Sequence, residues 1–191
     1  MPKPASSGCF GITLERTQKR DFVLVILASL LMSLSSYLVI PLWFTPVPIV
    51  TQNAVVLLMA ALLGARRGGV ATFAYLAQGA MGLPVFAGGV GGVAKFLGPT
   101  GGYLLGYLIA AFVVGYIADR RKTMTSAVVA MIAGNGIIYL CGSIYLSTFV
   151  GLSKVFALGV APFLIGDLIK TVVCLKILQW AGWRREESET R

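Results

Sequence analysis

Long apolar runs, separated by short arginine-rich turns, leave this chain few ways to fold. Between Phe22 and Trp180 six stretches carry almost no charge, and most charges gather where the stretches end. Of its 191 residues, 57% are hydrophobic and 12% charged. A soluble domain of this size would be roughly one-quarter charged, so the composition belongs in a bilayer. There every backbone N–H and C=O must find a partner within protein, which favours helices of ~20 residues.

The first run, Phe22 to about Leu42, is longer than the core of a secretion signal, and no small-residue cleavage site follows it. It therefore reads as a span, ended by Pro41 and Thr45-Pro46-Val47-Pro48. A second span is expected from about Ile49 to Gly64, then a turn at Arg66-Arg67-Gly68-Gly69, then a third from Val70 to Met81. The fourth covers Tyr103 to Ala118 and closes on Asp119-Arg120-Arg121-Lys122. The fifth runs from Ser126 to about Phe149 with an interruption at Gly134-Asn135-Gly136. The sixth starts near Phe156 or Pro162 and reaches Trp180, where Trp180 and Trp183 suit a membrane–water interface.

Lys3, Arg16, Lys19, Arg20, Arg66, Arg67, Arg120, Arg121, Lys122, Arg184, Arg185 and Arg191 fall on one side of this arrangement, Lys95 and Lys154 on the other. Positive charge accumulates on the cytoplasmic side of membrane proteins. The expectation is an all-α protein of six transmembrane helices with both termini in the cytoplasm. Residues 1–21 form a cytoplasmic segment, 22–182 a transmembrane domain and 183–191 a cytoplasmic tail. The net charge of +9 then reflects topology rather than nucleic-acid binding.

The stretch from Gly82 to Gly106 is crowded with glycine, holds two prolines and carries one charge, Lys95. Glycine costs about 1 kcal/mol per residue in a helix relative to alanine. Irregular backbone cannot face lipid, so this stretch is expected to form a lid or pocket wall. Gly101, Gly102 and Gly106 are read as close-packing positions, and Gly88–Gly92 as a functional loop. The run Gly89–Ala94 satisfies GxGxxA, but no hydrophilic βαβ unit surrounds it. GxxxxGK[ST] is absent, so this chain lacks that device for binding ATP.

Histidine is absent, and Cys9, Cys141 and Cys174 share no metal-ligand or disulfide spacing. No paired carboxylates, Ser–His or Cys–His arrangement supports catalysis, and no metal or cofactor is implied. Asp167 and Lys170 are the sharpest feature, since each costs ~2.5–3.5 kcal/mol at a helix centre and neither should face lipid. Their i, i+3 spacing puts them on one face. They read either as a self-satisfied ion pair or as a site for a ligand bearing N–H donors and an acidic or carbonyl oxygen. Gln52, Asn53, Gln78 and Asn135 suit interhelical hydrogen bonds, and Tyr103, Tyr107 and Tyr139 either stack on a ligand or fill the bundle.

Thr45-Pro-Val-Pro-Ile49, Gly64-Ala-Arg-Arg-Gly68, Gly82-Leu-Pro-Val-Phe-Ala87, Leu97-Gly-Pro-Thr-Gly-Gly-Tyr-Leu104 and Gly166-Asp167-xx-Lys170 together resemble the BioY family. These are the biotin-binding S components of energy-coupling-factor (ECF) transporters. The resemblance implies a six-helix S-component fold in the cytoplasmic membrane, with a biotin pocket near the outer face partly closed by the loop between spans three and four. Asp167 matches the acid that accepts from the ureido end of biotin, and Lys170 its companion cation. Phe86, Val85, Gly88, Gly89, Lys95, Tyr103, Tyr139 and Gln52 are the further candidate contacts. Implied partners are a transmembrane coupling subunit and two ATPase subunits. Where the family commonly presents an Ala-xxx-Ala docking stripe on the first helix, this chain has Ser29-xxx-Ser33. Other readings are a stand-alone vitamin facilitator and an intramembrane enzyme using Asp167 as base.

Overall fold

The computed structural model describes residues 8–183, with side chains from residue 18 onward. Residues 1–7 and the tail from 184, with Lys3, Arg184, Arg185 and Arg191, lie outside them, as do the side chains of Cys9 and Arg16. Helix α1 (Gly8–Ser35) begins well before the apolar run. Its apolar part exposes Phe22, Val23, Ile26, Leu27, Leu30, Leu31 and Leu34 and buries Ala28, Ser29, Met32 and Ser33. One stripe thus faces lipid and the other faces protein.

That burial corrects the docking assignment of Ser29 and Ser33. Both are turned into this chain, where Gln78 Nε2 donates to Ser29 Oγ at 3.0 Å and Ser33 Oγ donates to the Ser29 carbonyl at 2.9 Å. Within this chain the small stripe lets α2 (Gln52–Ala80) approach α1.

Helix α1 also ends earlier than Leu42. Ser35 and Ser36 hydroxyls donate to the carbonyls of Met32 and Ser33 at 2.7 Å each, competing with helix continuation. The chain then forms a two-residue strand β1 (Val39–Ile40) paired antiparallel with β2 (Ile49–Val50). This ribbon closes the proline-rich segment, so the following helix starts at Gln52 rather than Ile49. The chain is mostly helical rather than wholly so.

Helix α2 is two limbs. Gly64 sits at φ 80° and ψ 175°, outside helical geometry. In a straight helix Gln52 and Tyr75 would lie ~35 Å apart at 1.5 Å per residue. Instead the Gln52 amide donates to the Tyr75 hydroxyl across a separation of 23 residues. The limbs 52–63 and 65–80 therefore run antiparallel, with Gly68 packed on the backbone of Ala60. The reversal is at Gly64, not at Arg66–Gly69, which is already helical. Asp119 fixes it: Oδ2 accepts from the Ala65 N–H at 2.9 Å and so caps the second limb.

Helix α3 (Ala94–Leu97) is one turn inside the central loop. Helix α4 (Gly101–Arg120) lies between α2 and α5 (Met124–Val150). Gly102 and Gly106 meet α5 at Cys141, Tyr145 and Ile138, so the end of the glycine-rich stretch is helical and serves close packing. Helix α5 opens on a capping box of Thr123 and Ser126 and passes Gly134–Gly136 unbroken. Asn135 donates to the Met131 carbonyl and to Thr171 Oγ1, so no interruption results. Helices α6 (Leu152–Gly159) and α7 (Ala161–Trp180) share the last apolar stretch, broken at Val160. Trp180 is exposed, whereas Trp183 is buried against the protein core.

Among the described residues, four helical stretches are long and apolar enough to cross a membrane: Gln52–Ala80, Gly101–Arg120, Met124–Val150 and Leu152–Trp180. The first contains both limbs of α2. Gly64→Ala would force a side chain into positive φ and onto the Asp119 carboxylate. We expect it to destabilise the fold by at least ~1–2 kcal/mol, read as a lower thermal midpoint in detergent. Asp119→Ala, which removes only the cap, should cost about 1 kcal/mol. Unchanged midpoints in both would mean that the turn does not organise the bundle.

Candidate functional site

At the end of the bundle opposite the Gly64 turn, a cavity of about 680 Å³, mouth included, opens among six segments. The ribbon supplies Val47, Pro48 and Val50, and the start of α2 supplies Gln52 and Asn53. Phe86, Ala87 and Lys95 come from the central loop, Thr100, Tyr103, Leu104 and Tyr107 from around the start of α4. Helix α5 adds Ile138 and Tyr139, and α7 adds Phe163, Asp167 and Lys170. The lining is mostly apolar with a few convergent polar groups, the chemistry of a small-molecule site.

Three of the lining residues are charged. One helical turn brings Lys170 Nζ to 2.7 Å from Asp167 Oδ1. The ammonium also donates to the Val50 carbonyl at 2.6 Å and, more weakly, to Asn53 Oδ1 at 3.4 Å. The Tyr139 hydroxyl donates to Asp167 Oδ2. Asp167 is only 7% exposed, and burying a carboxylate is costly unless it is paired and hydrogen-bonded in this way. A carboxylate has about four acceptor sites; the described residues use two. Lys95, on α3, is the third charge, and among the described residues no second carboxylate lines the cavity.

The central loop is fastened rather than loose. Phe86 is 1% exposed, meets Tyr75 and Phe96 edge-to-face at 5.7 and 5.4 Å, and fills a notch that a side chain at Gly79 would occupy. Gln52 Nε2 reaches the Val85 carbonyl at 3.3 Å, and the Tyr37 hydroxyl reaches the Pro84 carbonyl at 2.8 Å. Phe86 bridges to Val90, so the glycines between them form the tip of a fold-back.

The cavity therefore brings together Asp167, Lys170, Phe86, Lys95, Tyr103, Tyr139 and Gln52. It does not include Gly88 and Gly89 among its walls. Gly88 N–H donates to the Ser36 carbonyl at 3.1 Å, and Gly89 lies against Tyr37, because the loop tip turns onto the end of α1. Val85 contributes its carbonyl to Gln52 rather than a wall. Asn53 and Tyr107 join the lining, whereas Gln78 and Asn135 bond between helices. Sequence reasoning missed Val47, Pro48, Thr100, Leu104, Ile138 and Phe163 as walls. The Thr45–Ile49 and Leu97–Leu104 motifs held the signal for four of them; Ile138 and Phe163 look like any apolar span residue.

A family model described as the BioY family matches residues 11–187. The chain is 41% identical over 166 residues to a "Biotin transporter BioY" of Rhizobium etli, covering 81% of this chain and 88% of that one. It is 42% identical over 133 residues to a protein of the same description from Thermotoga maritima, covering 69% and 79%. A crystal structure of the S-component for biotin from an ECF-type ABC transporter superposes with TM-score 0.76 at 28% identity, covering 87% of this chain and 92% of that one.

The ion pair makes a stability prediction that is independent of any ligand. Lys170→Met strands a buried carboxylate and should destabilise by about 3–5 kcal/mol. Asp167→Leu/Lys170→Met removes both charges and should recover most of that loss. Thermal unfolding in detergent reads the difference. A double variant less stable than the single would mean that the two charges do not compensate each other.

Proposed function

The chain belongs to the BioY family, and from that premise we propose that it is the biotin-capturing S component of an ECF-type transporter. The observation that carries this reading is a buried carboxylate and ammonium set in an otherwise apolar cavity. Biotin presents two ureido N–H donors and a carbonyl, an apolar thiophane ring and a valerate carboxylate. The free acceptor sites of Asp167 suit the ureido N–H groups, with Tyr139 and Lys170 holding the carboxylate in place. The thiophane rests against Phe86, Tyr103 and Tyr139, and Gln52 positions the loop through Val85. Lys95 is the cation that the Asp167–Lys170 pair leaves over, and it suits the valerate carboxylate.

In this reading the protein crosses the cytoplasmic membrane six times, by α1, both limbs of α2, α4, α5 and α7, with both termini in the cytoplasm. Arg66, Arg67, Arg120, Arg121 and Lys122 sit at the end with the Gly64 turn, whereas Lys95 and Lys154 sit at the cavity end; this asymmetry supports an outward-facing cavity. Biotin taken up there moves inward when the chain is coupled to a transmembrane subunit and two ATPase subunits, since the chain lacks GxxxxGK[ST].

Titration of the purified protein with biotin tests the site. Asp167→Asn exchanges an acceptor for a donor, and losing a charge-assisted bond of ~1.5–3 kcal/mol weakens binding roughly tenfold to a few hundredfold. Asp167→Leu/Lys170→Met should fold and insert but fail to bind; near-native affinity would overturn the assignment. Reporter fusions after residues 66 and 121 should report cytoplasm and those at 95 and 153 the outside. An external signal at 121 would overturn the topology.

A further inference from the structure

Helix α6 stops at Gly159 and α7 starts at Ala161, with Val160 between them at φ −128° and ψ −58°. Pro162 stands in the first turn of α7. In a continuous helix the Leu158 carbonyl would accept from the N–H of residue 162, and proline has none. The Gly159 carbonyl loses its donor too, because the Phe163 N–H goes to Val160 at 3.0 Å. A carbonyl buried without a donor costs free energy, and here two side chains from distant segments answer. Thr45 Oγ1 donates to Leu158 at 2.7 Å, and the Tyr103 hydroxyl donates to Gly159 at 2.8 Å.

Thr45 has a second bond. Its oxygen accepts from the Val47 N–H at 3.2 Å. Thr45 does not line the cavity, but Val47 and Pro48 do. One buried hydroxyl therefore connects the carbonyl orphaned by Pro162 to the backbone that carries a cavity wall. The segment has few other ties: Pro46 and Pro48 have no N–H, and the β1–β2 ribbon flanking it has two residues per strand. Without the hydroxyl, the wall is held mainly by its apolar contacts.

We propose that Thr45 is a positioning residue for ligand capture, latching the Val47–Pro48 wall of the cavity to the α6–α7 joint through the carbonyl that Pro162 leaves open. The inference rests on the cavity being the biotin site. Thr45→Val keeps the side-chain shape and removes both hydrogen bonds, whereas Thr45→Ser keeps them. In the full chain in nanodiscs, Thr45→Val should release biotin about two- to tenfold faster, the effect of losing one or two neutral hydrogen bonds. Thr45→Ser should stay within about twofold of wild type. Pro162→Ala restores an N–H at that position, so Thr45→Val should matter less in its background.

Hydrogen exchange at Val47, Ile49 and Val50 in the protein without biotin gives a readout that needs no ligand. It should be faster in Thr45→Val and unchanged in Thr45→Ser. Dissociation and exchange both equal to wild type in Thr45→Val would overturn the latch. An effect of Thr45→Val that is the same with Pro162 and with alanine there would overturn the link to the joint. If wild type failed to bind biotin while exchange still answered to Thr45, the ligand assignment would fall and the latch would stand.

Discussion

Burying Asp167 and Lys170 in an apolar bundle is the demand that the cavity end of this protein is built to meet. A charge taken out of water is tolerated only when paired and hydrogen-bonded. Lys170 has three N–H donors, and they reach Asp167, the Val50 carbonyl and, at longer range, Asn53. Tyr139 covers the other oxygen of Asp167. Satisfying two side chains of α7 therefore draws in α5, the start of α2 and the β2 strand. In the proposed site, the acceptor sites of Asp167 that these groups leave over are the ones offered to a ligand with N–H donors. Stability and the proposed recognition then rest on the same few atoms.

The glycine-rich stretch divides by what each glycine meets. Gly79, on α2, leaves a notch for Phe86, and that aromatic ring both seals the loop to the bundle and forms a cavity wall. Gly88 and Gly89 take positive φ and let the loop tip fold back onto the end of α1. Gly102 and Gly106 are helical and bring α4 onto α5. A cavity open at one end thus has a rigid rim, because its loop is tied by Tyr37, Gln52 and Phe86 at separate points.

At the opposite end one backbone reversal matters most. Gly64 turns the chain back two residues before the Arg66–Gly69 turn that the sequence suggests, and Asp119 from α4 receives the freed Ala65 N–H. The first N–H groups of a helix have no partner within that helix, and here a side chain of another helix supplies one. The same requirement recurs at the α6–α7 joint, where hydroxyls of Thr45 and Tyr103 replace the donor that Pro162 lacks.

The sequence by itself determined the membrane class, the approximate number of apolar segments, the asymmetric placement of arginine and the pairing of Asp167 with Lys170 on one helix face. Each follows from local rules: transfer cost, charge distribution and the i, i+3 spacing of one helix face. Five ordered motifs added the family. Tertiary structure alone decided that Ser29 and Ser33 face inward to Gln78, that α1 stops at Ser35 and that Trp183 is buried. It also decided that Gly88 and Gly89 leave the cavity while Val47, Pro48 and Phe163 enter it. In a chain that is apolar on every side, hydrophobicity does not distinguish a residue facing lipid from one facing protein. That choice is made by which carbonyls, amides and small side chains of distant segments come close enough to pair.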